Sequence, residues 1–461
     1  MDLCRVTIVA PRRRIDLSLP ADVPLAQMMP TLLRAAGENM ADAGLAHSGW
    51  ALQRLDDAPL DPAQTMSALR VLDGEVLYFR PRMAQLPEMS FDDVADVIAT
   101  GIKERSDRWR PHSTRSAGLW GGAALLGAGA VALAVSGPPW TIPAVAAGVV
   151  ALLLLIFGAM MSRAMGDAGA GAAMGYMAAP YAFLAGLLIP AGDTVANVLD
   201  LGAPHMLAGF GAATLAAIVG GSVIVEGFPN FLGITLAAVI GTIAAGVVVA
   251  LPDAPPAGAA AACVAVVVGL TALIPSLSFK LARLPLPAVP SSSEELRSDT
   301  SLVNGKAVLA RTAVADKFAT GLVAGVAMVA IGAELFLSVE GGWMAVATGL
   351  AISLALILRA RVFRGRLQRV WMIAAGLAGV GILSLGAIEP REPLTTLTAV
   401  VLPLVAVTIL TVALGMWLPG NKPSPFWGRA CDILDVMVVV SLIPLALGVL
   451  DLYTWIRGQT G

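Results

Sequence analysis

Apolar and polar positions alternate over short stretches in the first 82 residues, then give way after Ala117 to long, nearly unbroken apolar runs. Leu3 to Val9 and Arg14 to Leu19 follow a period of two, which predicts two strands, with Pro11 and the arginines from Arg12 to Arg14 filling the turn. After Pro24, residues Leu25, Met28, Met29, Leu32 and Leu33 recur at spacings of three and four. That is one face of a helix, ended by Gly37. Pro30 either kinks this helix or marks its true first turn. Trp50 to Leu55 and Val76 to Phe79 predict two further strands, the last behind an Asp73-Gly74 turn.

Residues 83–116 read as a linker with an amphipathic helix, on which Phe91, Val94, Ile98 and Ile102 share a face. Asp92, Asp93 and Asp96 occupy its first turns, where the helix dipole favours anions. Lys103, Arg105, Arg108, Trp109, Arg110 and Arg115 then lead directly into the first apolar run. Cations beside an interfacial tryptophan suit the headgroup layer of an anionic leaflet; a solvated linker is the alternative. Eleven segments of spanning length follow, at 117–136, 141–161, 169–190, 205–226, 230–251, 257–275, 318–338, 342–358, 370–388, 394–418 and 432–456. The longest loop between them, 276–317, is broken by proline and serine and carries a short helical stretch at 307–315.

Two folds are therefore expected in one chain. Residues 1–82 run strand, strand, helix, strand, strand, an α+β ubiquitin-like (β-grasp) domain, and 117–456 form a membrane all-α bundle of about 11 transmembrane helices.

Charge placement orients the bundle. With the N-terminus cytoplasmic, the loops on that side hold 14 basic residues, among them Arg163, Lys280, Arg311, Lys317 and the run Arg359, Arg361, Arg364, Arg366 and Arg369. The other side holds only Arg391 and Arg457. This positive-inside bias places the C-terminus in the periplasm, and the punctuated first 30 residues lack the apolar core of a signal peptide. Composition agrees: 57% of residues are apolar, 13% are charged and mean hydropathy is +0.79. Soluble chains carry about 45–50% and about 25% respectively, so a soluble enzyme is excluded.

Candidate chemistry is sparse. Asn304-Gly305-Lys306-Ala307 lacks the upstream glycine and the Ser or Thr of a phosphate-binding loop. His47, His112 and His205 are scattered, and Cys4, Cys263 and Cys431 show no metal or redox spacing. The sequence thus offers no catalytic, metal or cofactor-binding residue, and a chain that is not an enzyme is expected. A stand-alone secondary transporter or permease for a small solute is the rival reading. It would place ionisable residues at mid-membrane, whereas Glu226, Glu334, Asp432, Asp435 and Asp451 all read as close enough to span ends to reach the headgroups. Pro180, Pro403 and Pro444 sit near mid-helix, as packing kinks or as breaks that free carbonyls for a site. Gly118/Gly122, Gly171/Gly175 and Gly321/Gly325 have the four-residue spacing of close helix contacts, within one chain or between two.

The order of these pieces resembles the EccD family of type VII (ESX) secretion systems of mycobacteria. The resemblance rests on RVTIVAPRRRIDLSLPADVPLAQMMPTLL, on DGEVLYFRPR at 73–82, on PEMSFDDVADVIAT at 87–100 and on the eleven spans that follow. It implies a structural subunit of an inner-membrane translocon that exports WXG100, PE and PPE proteins. Its implied partners are EccB, the FtsK/SpoIIIE-type ATPase EccC, EccE, a second EccD copy and membrane lipid, with no nucleic acid and no cofactor. The family supplies no catalytic motif. The candidate docking residues come from this sequence alone. They are Arg12, Arg13 and Arg14 against an acidic partner face, and Phe91, Val94 and Ile98 against partner segments. Arg105, Arg108, Trp109 and Arg110 are the candidate membrane-surface contacts.

Overall fold

A computed structural model describes residues 3–10, 13–37, 49–55, 57–81, 111–192, 195–224, 226–284, 305–388, 393–417 and 425–460. They fall into two units, Met1–Trp109 and Arg110–Gly461.

In the first unit, β1 (Leu3–Ala10) and β2 (Arg13–Pro20) form an antiparallel hairpin. β1 also pairs in parallel with β4 (Glu75–Pro81), and β3 (Trp50–Gln53) closes the other edge antiparallel to β4. The sheet order is β2-β1-β4-β3. A parallel central pair needs a crossover, and α1 (Leu25–Ala36) lies within it. Val6, Ile8, Leu77 and Phe79, alternate residues of the central strands, pack with Leu25, Met28 and Leu32 of α1. The two periodicities of the sequence meet in this core. Pro30 lies inside α1 and does not start it. Both Pro30 and Ala26, whose carbonyl loses its helical donor, are exposed, so water can satisfy that oxygen.

One polar cluster pins the turn before β4. Arg54 donates through Nε to Glu75 and through Nη2 to the carbonyls of Leu69 and Arg70, at 3.1 and 3.2 Å. Arg70 sits at φ +50°, a conformation costly for a side-chain-bearing residue, and this grip holds it there. Burial alone would push the Glu75 carboxyl up, but the hydrogen bonds from Arg54 and from the Leu72 amide together hold it below its ordinary range. A carboxyl lowered in the folded state stabilises that state above its unfolded value of about 4.3 and loses the effect as pH falls through the folded one. Hydrogen-exchange protection of β4 in the full chain is therefore expected to be greater in the native protein than in Glu75→Gln at pH 7. The difference should close in the acid range, and a difference independent of pH would contradict this account.

Among the described residues of the second unit, eleven helices are long and apolar enough to cross a membrane: α2 Ser113–Ala134, α3 Thr141–Arg163, α4 Ala168–Ala191, α5 Ala203–Val223, α6 Phe228–Ala250, α7 Pro256–Leu281, α8 Gly305–Glu340, α9 Gly342–Arg359, α10 Arg366–Gly386, α11 Pro393–Trp417 and α12 Phe426–Val449. Two boundaries differ most from expectation. The stretch at 307–315 is not a separate helix but the start of α8, whose 36 residues span about 54 Å against a hydrocarbon core of about 30 Å. The eleventh span ends at Val449 instead of 456 because Asp451, at φ +56°, turns the chain into a separate helix, α13 (Leu452–Thr460).

Consecutive helices from α3 to α6 pack on one another, α6 meets α8, and α8 joins α7, α9 and α10, while α12 packs on α7 and α9. The glycine pairs explain the tightest crossings. A Cβ on Gly321 would lie 1.9 Å from the carbonyl oxygen of Pro229, and one on Gly233 would lie 2.0 Å from that of Gly321. Backbone thus meets backbone between α6 and α8, which lipid-solvated helices need because no hydrophobic effect drives them together. Gly171 makes the same kind of contact with Gly158 between α4 and α3, whereas Gly118 and Gly122 face open space. Gly321→Val is expected to separate α6 from α8 and lower the unfolding temperature of the detergent-purified protein. Gly118→Val should leave it unchanged.

Candidate functional site

Arg13 and Arg14 are exposed and open the edge strand β2, opposite Ala10 and Val9. β2 is an edge strand of the described sheet, and the outer backbone groups of such a strand are of the kind that pair with an added strand. Arg12, Phe91, Val94, Ile98, Arg105, Arg108, Trp109 and Arg110 lie outside the described residues. Of the candidate docking residues, the structure therefore brings together Arg13 and Arg14.

The ion pairs among the described residues of the bundle gather at one end, and sequence reading missed how they pair. Arg359, at the end of α9, forms an ion pair with Asp435 of α12 at 3.2 Å, both side chains being largely buried. Its Nη1 also donates to the Val268 carbonyl and the Thr271 hydroxyl of α7, so one guanidinium ties three helices. Arg361 pairs with Asp432 at 3.1 Å. At the same end, Arg115 of α2 grips Asp167, the N-cap of α4, with two nitrogens, and Arg163 of α3 donates to the Val223 carbonyl of α5 at 2.7 Å. Lys317 and Glu226 stand 4.0 Å apart. Asp432 and Asp435 thus serve as partners for arginines rather than as lone groups seeking the headgroups. The spacing of the two aspartates, one helical turn apart, opposite two arginines at the end of another span, was the available signal.

Glu334 corrects the expectation more sharply. It lies six residues inside the end of α8 and is fully buried, instead of reaching the headgroups. Ser353 of α9 donates a hydrogen bond to its Oε1 at 2.8 Å, and Oε2 has no hydrogen-bond partner among the described residues. Gly379 of α10 is the surface it rests on, since a Cβ there would lie 2.0 Å from Oε1. Three helices therefore meet at one carboxyl. Tyr181 of α4 makes a comparable tie, donating to the Leu126 carbonyl of α2 at 2.7 Å. Among the described residues, no three His, Cys, Asp or Glu side chains stand close enough to hold a metal ion.

A small ubiquitin-like unit joined to eleven helices of spanning length defines the chain as a multi-pass membrane protein. Comparison with known proteins makes this specific. Residues 114–459 match the family model described as EccD-like transmembrane domain, and residues 3–79 match the family model described as WXG100 protein secretion system (Wss), protein YukD. The chain belongs to the EccD family. It is 27% identical over 476 residues to the ESX-4 secretion system protein eccD4 of Mycobacterium tuberculosis, covering 99% of this chain and 97% of that one. It is likewise 27% identical over 487 residues to the ESX-3 protein EccD3 of the same species, covering 100% and 99%. Among solved structures, a chain of protomer 1 of the ESX-3 core complex superposes with a TM-score of 0.58 at 20% identity, covering 98% of this chain and 100% of that one. A chain of the MycP5-free ESX-5 inner membrane complex gives 0.55 at 21% identity, covering 89% and 99%. These similarities span both the ubiquitin-like unit and the membrane bundle.

Proposed function

We propose that this chain is a structural membrane subunit of a type VII (ESX) secretion translocon, framing the passage of WXG100, PE and PPE proteins across the inner membrane and docking cytoplasmic components through its N-terminal unit. The observation that carries this reading is the match of both parts, in order, to secretion-system families, at 3–79 and 114–459. The proposed partners are EccB, the ATPase EccC, EccE and a second copy of this chain. With no phosphate-binding loop in its sequence, the subunit draws its energy from the partner ATPase and performs no catalysis itself. The described ion pairs of the bundle cluster where the basic residues do, which supports an orientation with that end and the N-terminus in the cytoplasm and the C-terminus in the periplasm. The domain plan that goes with it is a cytoplasmic 1–82, a linker at 83–116 carrying the membrane-surface residues, and the bundle at 117–456.

Deleting the gene should stop export of the cognate substrates, and the intact gene should restore it. Continued export in the deletion strain, or solute uptake by the purified chain in proteoliposomes, would favour the permease reading instead.

A further inference from the structure

The helix that follows the last span, α13, is placed by the same turn that ends α12. α12 has 24 residues, about 36 Å of helix, so it crosses a hydrocarbon core of about 30 Å and ends at its edge. Asp451, at φ +56°, then turns the chain, and α13 begins at the next residue. The first turn of α13 folds back toward the span. The Tyr453 hydroxyl donates to the carbonyl of Pro444 at 3.1 Å, and Pro444 lies about 8 Å inside the end of α12. The Tyr453 ring rests beside Gly448, where a Cβ would stand 3.4 Å from its Cε2. The same Cβ would stand 2.7 Å from the sulfur of Met344, in the first turn of α9. α13 therefore starts at the level where α12 ends and α9 begins.

Its residue pattern fits that level. Successive helical residues are about 100° apart, so Leu452, Tyr453, Trp455 and Ile456 share an arc of about 160°, with Gly458 on the opposite side. Tyr453, Trp455 and Ile456 are exposed. Left in water, this face would hold three large apolar groups together in solvent. The bilayer that α12 crosses begins beside it, and Trp and Tyr favour the headgroup layer because their rings are apolar and their tips polar. Arg457 is the one charged residue in the α13 sequence, so apolar area rather than attraction to anionic lipid supplies the binding. We infer that α13 is an interfacial anchor, lying in the headgroup layer at the end of α12 with its Leu452–Ile456 face turned to the acyl chains of neutral phospholipid.

The test reads the depth of the two sides of α13. Cys4, Cys263 and Cys431 would be replaced by alanine in the full chain, and a single cysteine introduced as Ile456→Cys or Gly458→Cys. A Cβ at 458 meets no atom within 4 Å, so both positions take a fluorescent label. In phosphatidylcholine nanodiscs, lipid with a nitroxide near the top of its acyl chain should quench the label of Ile456→Cys several-fold more than that of Gly458→Cys. Changing the lipid to phosphatidylglycerol should leave this ratio unaltered. Equal quenching on the two sides, or a difference seen only in phosphatidylglycerol, would overturn the assignment. If the cysteine variants do not fold, the native protein decides the matter. Phosphatidylcholine with a photoreactive diazirine near the top of its acyl chain should then label both α12 and Leu452–Ile456. Labelling that stops at α12 would mean that water or protein covers this face, and would overturn the anchor.

Discussion

Removing residues 1–82 is expected to abolish export while the eleven spans remain inserted. The two units have separate cores: Val6, Ile8, Leu32 and Leu77 belong to one, and Val264, Val326, Ile352 and Met372 to the other. Truncation therefore takes away no packing from the bundle core, and the hydropathy that drives insertion lies wholly in α2–α12. What truncation removes is the sheet with its two edges, the part proposed to dock a partner. Losing the central contacts of a protein interface costs roughly 2–4 kcal/mol or more, which lowers occupancy by about 30-fold to 1,000-fold. Immunoblots of culture medium should then show substrate at background, with the truncated chain still in the membrane fraction. A smaller step, Arg13→Glu with Arg14→Glu, should weaken export in part if the hairpin faces an acidic partner. An unaltered yield from that double variant would assign the hairpin arginines to solvent.

The second large effect is expected at the junction of α8, α9 and α10. Any side chain at 379 must displace the Glu334 carboxyl, which is fully buried and accepts one hydrogen bond among the described residues, from Ser353. Overpacking costs about 1–3 kcal/mol and breaking the hydrogen bond of a buried polar group about 1–3 more, so Gly379→Leu should destabilise the bundle by roughly 2–6 kcal/mol. Thermal unfolding of the detergent-purified chain measures this directly. Glu334→Gln keeps both the shape and an acceptor for Ser353, and should fold normally and support export. If Glu334 were the working group of a permease, the same substitution would stop transport while leaving the fold intact, so the two readings part on one variant.

Much of this architecture was legible because each part carries its own period. The alternation in Arg14–Leu19 and the 3-4 spacing of Leu25, Met28 and Leu32 are consequences of the pleat and the helical turn, and both survive in the packed unit. The spans were legible because lipid demands continuous apolar runs. The first turns of α8 were not, since Lys306, Arg311, Asp316 and Lys317 cut hydropathy without interrupting the helix. The end of α12 was missed for the opposite reason: Leu452, Tyr453, Trp455 and Ile456 keep hydropathy high past a turn that Asp451 makes. Pairings such as Arg359 with Asp435, and Glu334 with Ser353 and Gly379, depend on which helices become neighbours. Hydropathy gives the depth of a residue in the membrane but not the identity of the helix beside it. An apolar cavity lined by α4, α5, α6, α7 and α8 is hidden for the same reason, because its alanines and glycines look like any other small residues until the helices come together.

The central claim is that this chain works as one subunit of a larger secretion machine. Affinity purification of the tagged protein from native membranes in mild detergent, with identification of every co-eluting protein and sizing on a native gel, tests it most directly. The account predicts a large assembly that contains an FtsK/SpoIIIE-type ATPase and further copies of this chain. A lone monomer or dimer that stays alone in progressively gentler detergents would contradict it.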